Sequence, residues 1–165
     1  MQLIGRVILS QGSGLIEVLA ALFIIAVGVL GMAGIHTKAL QHNQSAYVHS
    51  RATFLATDML DRIRANAALA RTSDSYQVSP LQDVFADCET DSYPSSCETA
   101  SCTPQQMAIY DIQQWKFHLN CELPDTTGEV SFSNIGNERL FTIRLNFPEN
   151  RQGYPVDDLT LRGAL

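Results

Sequence analysis

Three sets of residues in this chain invite a chemical reading. The first is a lone carboxylate, Glu17, near the start of an apolar run from Gly12 to Ile35. An ionised side chain inside hydrocarbon costs about 3 kcal/mol on insertion scales, so it is a functional suspect by default. The second set is Cys88, Cys97, Cys102 and Cys121. None forms a Cys-x-x-Cys pair, which argues against a redox centre; an even number beyond an apolar segment fits two disulfides in an oxidising compartment. Four cysteines allow three pairings, and the sequence leaves the choice open. The third set is His36, His42 and His49, with the acids Asp87, Glu89 and Asp91. His42 and His49 share a helical face, but no acid or cysteine completes a metal site, so solvated helix residues are expected. The three acids alternate without the Gly and later Glu of a calcium loop, and read as a solvated acidic loop. No nucleophile motif, glycine-rich phosphate loop or HExxH pattern occurs. The expectation is therefore no metal, no cofactor and no catalytic residue.

The elements that carry these residues follow from periodicity. The run from Gly12 to Ile35 has the length of a bilayer's hydrocarbon core, roughly 30 Å at 1.5 Å per helical residue. Before it, Met1 to Gly12 carries Arg6 and the amino group, like the basic start of a signal sequence. No small-x-small cleavage site follows the run, and the polar break at Ser10-Gln11-Gly12 precedes it. Processing at that break leaves the apolar segment on the mature chain. Lys38 lies close on the far side, so charge orients the span only weakly. Gly28, Gly31 and Gly34 recur every three residues. They permit close helix packing, and they equally permit local melting, since each costs a helix roughly 1 kcal/mol relative to Ala.

Past Ile35 the helical pattern continues without Pro or Gly, predicting one helix from about Gly14 to Leu69, roughly 80 Å long. Leu40, Tyr47 and Phe54 at seven-residue steps, with Leu55, Met59 and Ile63 at four-residue steps, form an apolar stripe whose downstream half should be buried. Asp58/Arg62 and Asp61/Arg64 have the spacing of an exposed helical face. Residues 73–102 read as a long polar loop, functional or cross-linked. Thr103-Pro104-Gln105-Gln106 is a helix start with a capping box. Ala108, Ile112, Trp115 and Leu119 follow at helical spacing to Pro124, with Trp115 as core anchor and Cys121 placed to tether the loop. Strands are predicted over Glu129–Ser133 and Leu140–Phe147 around a turn at Asn134–Asn137. After a second turn at Pro148–Gly153, a third strand is expected over Val156–Leu161, with Leu159 and Leu161 on one face.

The chain has 165 residues and a formal charge of −6, enough for one compact domain with an appendage. From Arg71 onward 14 acidic residues face 6 basic ones, a balance of −8. An acidic head disfavours nucleic acid, whose phosphates are met by Lys and Arg. The fold class is α+β: a long N-terminal transmembrane and amphipathic helix packed on a small antiparallel sheet, with a second helix and a disulfide-tied loop. The expected divisions are 1–12 as leader, 13–35 as the transmembrane half of the helix, 36–70 as its amphipathic half and 71–165 as a globular head.

The stretch Gly12-Ser13-Gly14-Leu15-Ile16-Glu17-Val18, with the apolar run after it, resembles the class III signal of type IV prepilins. That resemblance implies cleavage after Gly12, N-methylation of the new terminus Ser13, and Glu17 at the fifth mature position; Ser13 stands where the family usually has Phe. Side by side in a pilus, helices exclude water, and Glu17 would meet the α-ammonium of Ser13 on a neighbouring subunit. Breaking such a buried pair costs about 3–5 kcal/mol, enough to set the stagger between subunits. The stretches 58–66 (DMLDRIRAN) and 108–115 (AIYDIQQW), with Leu123-Pro124, resemble minor pilins of the PilV type, the type IV pilus modification proteins.

The resemblance implies a minor pilin with a structural role in priming assembly or at the pilus tip, in twitching motility or adhesion. Its partners would be other minor pilins, the major pilin, the prepilin peptidase, the inner-membrane assembly platform and membrane lipid. It would span the inner membrane once with a periplasmic head, then reach the pilus and cell surface. The alternatives are a minor pseudopilin of type II secretion and a surface-displayed adhesion module for a carbohydrate or host ligand. A membrane-anchored enzyme would need poised Cys or His, and neither is evident.

Overall fold

The computed structural model describes residues 13–80, 88, 93–123, 125–147 and 158–165. The leader, Gly12, the acids Asp87, Glu89 and Asp91, Pro124, the turn at 148–153 and Val156 all lie outside the described residues. The elements run α1 (Ser13–Ala65), α2 (Ala67–Thr72), α3 (Pro104–Glu122), β1 (Thr127–Ile135), β2 (Glu138–Asn146) and β3 (Leu159–Ala164). The chain divides into two units, Met1–Asn43 and Gln44–Leu165.

In the first unit the described residues are all α-helix, and the helix runs unbroken through Gly28, Gly31 and Gly34. Its large apolar side chains, from Leu15 and Ile16 to Met32 and Ile35, are all exposed. By length and composition this helix is able to cross a membrane.

The second unit is a head in which the downstream part of α1 and helix α3 both pack on one face of the sheet. The sheet is an antiparallel meander in the order β1-β2-β3. Its register aligns Gly128, Leu145 and Leu159 in one row, Val130, Ile143 and Leu161 in the next, and Phe132, Phe141 and Gly163 in the third. Those nine positions share a face, because side chains alternate along a strand. Val130, Phe141, Ile143 and Leu145 from it are buried together with Ala52, Leu55, Ala56, Met59, Leu60 and Ile63 of α1 and Trp115 and Leu119 of α3. The α1 set recurs at intervals of three and one, the stripe of an amphipathic helix. Two glycines let the layers close. A Cβ at Gly128 would lie 2.5 Å from the Trp115 ring, and one at Gly163 would lie 2.6 Å from Leu60 Cδ2.

Four expectations need correction. The long helix ends at Ala65, not near Leu69: Asn66 leaves the helical region at φ −107°, ψ 36°, and α2 restarts after it. Asn66 is held there by tertiary bonds, its Nδ2 donating to the Tyr76 hydroxyl at 3.1 Å and the Pro104 carbonyl at 2.8 Å. Phe54, in the downstream half of the stripe, is exposed, while Leu55, Met59 and Ile63 are buried as expected. The hairpin turn is the two residues Gly136 and Asn137, because Ile135 already pairs with Glu138; Gly136 supplies the positive φ of 63° that such a tight turn needs. The third strand starts at Leu159 and runs on to Ala164, beyond the expected end at Leu161.

Candidate functional site

Ser13 opens α1, and Glu17 follows one turn later, flanked by Leu15, Ile16 and Val18, all more than half exposed. Among the described residues nothing pairs with the Glu17 carboxylate. Gly28, Gly31 and Gly34 lie on the same helix with open space where a Cβ would be. They form a smooth strip of the kind on which a second helix packs closely. This unit therefore carries one exposed carboxylate, three glycines with open space beside them and an exposed apolar surface.

The head is built around a helix–helix seam that is charged at both ends. At one end Arg62 donates to Asp58 at 2.7 Å and to Asp111 at 3.3 Å. Asp111 is buried, and its other oxygen accepts from the Tyr76 hydroxyl at 2.7 Å. Burial pushes the Asp111 carboxyl up, against the opposing pull of Tyr76 and Arg62. Burial also raises the Tyr76 phenol far above its ordinary value, and the bond to Asp111 adds to it. At the other end Glu122 accepts from Arg51 and sits 3.1 Å from His118 Nδ1. The bond from Arg51 holds the Glu122 carboxyl below its usual range. The Asp58/Arg62 spacing thus belongs to a half-buried tie across elements and not to a solvated face; Asp61 and Arg64 do form the exposed pair expected, at 3.0 Å.

Helix α3 makes the seam possible. Thr103 caps it, Pro104 occupies its first turn, and Thr103 and Gln106 exchange both capping-box bonds. Trp115 is fully buried, and its indole N–H donates to the Leu55 carbonyl at 2.9 Å. The cysteines pair as Cys88–Cys121 and Cys97–Cys102, with Cα separations of 5.4 and 5.7 Å. Cys121 thereby tethers the loop to the end of α3. His36 and His42 are exposed, and His49 lies half-buried with its ring 6.0 Å from Phe147. Among the described residues no three His, Cys, Asp or Glu side chains gather as a metal set. Asp111 was invisible to pattern reading, although a carboxylate between Ala108 and Trp115 on the apolar face of α3 is the signal that marks it.

The fold and these surfaces define an α+β head carried on a long apolar helix, with a three-stranded sheet, a second helix and two disulfides. A family model described as Tt1218-like, type IV pilin Tt1218, matches residues 34–113, a little under half of the chain. Over that stretch, from the middle of α1 into α3, the chain is similar to type IV pilins. No curated protein and no solved structure matches it.

Proposed function

We propose that this protein is a minor pilin of a type IV pilus, of the PilV type, with a structural role in priming assembly or at the tip. A prepilin peptidase cuts after Gly12 and the new Ser13 terminus is N-methylated. Residues 13–35 then span the inner membrane, 36–70 lead out of it, and 71–165 fold as a periplasmic head until the subunit enters the pilus. Its partners are other minor pilins, the major pilin and the inner-membrane assembly platform.

The observation that carries this reading is Glu17, an unpaired carboxylate on an apolar helix, five residues after Gly12. A carboxylate so placed is tolerated when a partner supplies a positive charge in the same dry environment. The Ser13 ammonium of a neighbouring subunit fits that need, and Gly28, Gly31 and Gly34 give a neighbour room to approach. The family match supports the reading independently, since residues 34–113 do not include the Gly12–Val18 signal.

The test is Glu17→Ala in cells that make pili. Membrane insertion should persist while incorporation into sheared pili falls by at least about a hundredfold, the equivalent of losing roughly 3 kcal/mol. Normal incorporation of the variant would remove the registry role. A Gly12 substitution run alongside should leave the longer precursor on a gel, and normal processing there would remove the class III assignment.

A further inference from the structure

Residues 93–102 lie against α3, and polar bonds hold them there. None of them belongs to the buried apolar cluster. They are tied by polar bonds that converge on one atom, Glu98 Oε1. It accepts from the Tyr93 hydroxyl at 2.7 Å, the Tyr110 hydroxyl at 2.9 Å and Gln114 Nε2 at 3.2 Å. Gln114 Nε2 also reaches the hydroxyls of Tyr93 and Tyr110, and the Tyr93 ring stands edge-on to Phe117 at 5.4 Å. Tyr110 and Gln114 are buried beneath this strap. Glu98 itself is exposed and sits inside the ring closed by Cys97–Cys102.

Bonds to a carboxylate that is itself exposed compete with water and give little net stability, and no residue of the strap enters the buried apolar cluster to keep it in place unaided. The disulfide supplies the missing constraint. It closes a ring with a sequence separation of 5, directly before the Thr103 cap, and so confines Glu98 to the side of α3 where the three donors wait. We propose that Cys97–Cys102 is a redox latch: oxidised, it holds residues 93–102 as a strap over Tyr110, Gln114 and Phe117, and reduction by a dithiol uncovers that face of α3 without unfolding the head.

The exchange balances. A thiolate of the dithiol attacks one cysteine sulfur, and the Cys97–Cys102 bond breaks as a mixed disulfide forms. The second thiol of the reductant displaces the remaining protein sulfur. Two electrons and two protons pass to the protein, which gains two thiols, and the reductant leaves as a disulfide. Cys88–Cys121 differs in kind, because it joins residues 33 apart and anchors the α3 end beside the Arg51–Glu122 pair.

The test uses the full chain in detergent micelles with dithiothreitol as the dithiol. Graded reduction followed by alkylation and mass mapping should label Cys97 and Cys102 before Cys88 and Cys121. At that first stage amide exchange over residues 93–103 should rise roughly 30-fold, the loop-closure effect of so short a ring, while β2 amides keep their protection. A Cys97→Ser/Cys102→Ser double variant should reproduce the same local loss without reductant. It should also bring the Tyr93 phenol down, because the bond to Glu98 is the first cause of its rise. Loss of both disulfides together with β2 protection would overturn the latch, as would an unchanged strap in the double variant.

Discussion

The same residue types meet opposite fates along α1. In the first unit Leu15, Ile16, Ile24, Ile25 and Leu30 are each more than 60% exposed; in the second Leu55, Met59 and Ile63 are at most 2% exposed. Propensity does not separate them, since both stretches are good helix. What differs is the partner. Residues 52–63 meet a sheet and a second helix of the same chain, whereas among the described residues the large apolar side chains of 15–35 are left exposed. A run of that length left uncovered asks for lipid or for other helices.

The sharpest break of this comparison is a pair of truncations. Trp115→Ala removes the fully buried ring between α1 and the sheet, and should cost the head about 3–5 kcal/mol. Leu22→Ala removes a comparable apolar side chain from the first unit, where Leu22 is 58% exposed, and should leave head stability unchanged. Amide exchange of β2 in micelles reads both. Equal effects of the two substitutions would show that the apolar helix and the head are energetically one body.

The reach of pattern reading follows the same division. A helix start is a local event, so Thr103, Pro104 and Gln106 announced α3 and its cap correctly. Trp115 as anchor and the third strand's Leu159 and Leu161 were legible for a similar reason, namely spacing that matches burial. The end of α1 was not legible, because Asn66 leaves the helix for tertiary partners, Tyr76 ten residues on and Pro104 38 residues on. Tyr47 and Phe54 keep a seven-residue beat yet point outward, Phe54 with the Arg51 guanidinium 4.8 Å over its ring. Periodicity reports that a helix has sides; only the partner decides which side is inside. The disulfide pairing needed three-dimensional proximity in the same way. The sequence-level reading of Gly12, Ser13 and Glu17 concerns contacts between subunits, which a single chain does not contain.

The polar seam sharpens the comparison from a second direction, because it exists only where the helix has a protein partner. Tyr76→Phe deletes the donor to the buried Asp111 carboxylate and should cost about 1–3 kcal/mol near neutral pH. Its pH signature separates this from simple loss of packing. The folded phenol of Tyr76 is raised by burial and by Asp111, and that of Tyr110 is pushed up to about 12 by burial. A group whose folded value is raised contributes stability that is complete below its unfolded value and lost as the pH climbs towards the folded one. For tyrosine that loss begins near pH 10. The parent head should therefore weaken above about pH 10, each raised phenol contributing about 1.4 kcal/mol per pH unit. Tyr76→Phe should show a shallower alkaline limb, while Leu22→Ala should follow the parent. An unchanged slope in Tyr76→Phe would mean that Tyr76 does not titrate with unfolding.

The smallest effects come from two glycine substitutions that ought to have opposite signs. In Gly163→Ala the new methyl meets Leu60 Cδ2 at 2.6 Å and Cδ1 at 2.7 Å, so β3 or the Leu60 side chain must shift. The contact is with the flexible end of a leucine, which places the cost at about 1 kcal/mol, the low end for overpacking. In Gly31→Ala the new methyl meets nothing within 4 Å, and the helix gains roughly 1 kcal/mol from the better helix former. Amide exchange over residues 28–34 should slow in the second variant while β3 is untouched, and the first should show the reverse. The second variant also probes the surface that the isolated chain leaves bare. If Gly31→Ala firms up the helix in micelles yet lowers incorporation into pili, the strip of small residues serves approach by another helix. If incorporation rises with helicity, that role is refuted and the glycine acts only by weakening the helix.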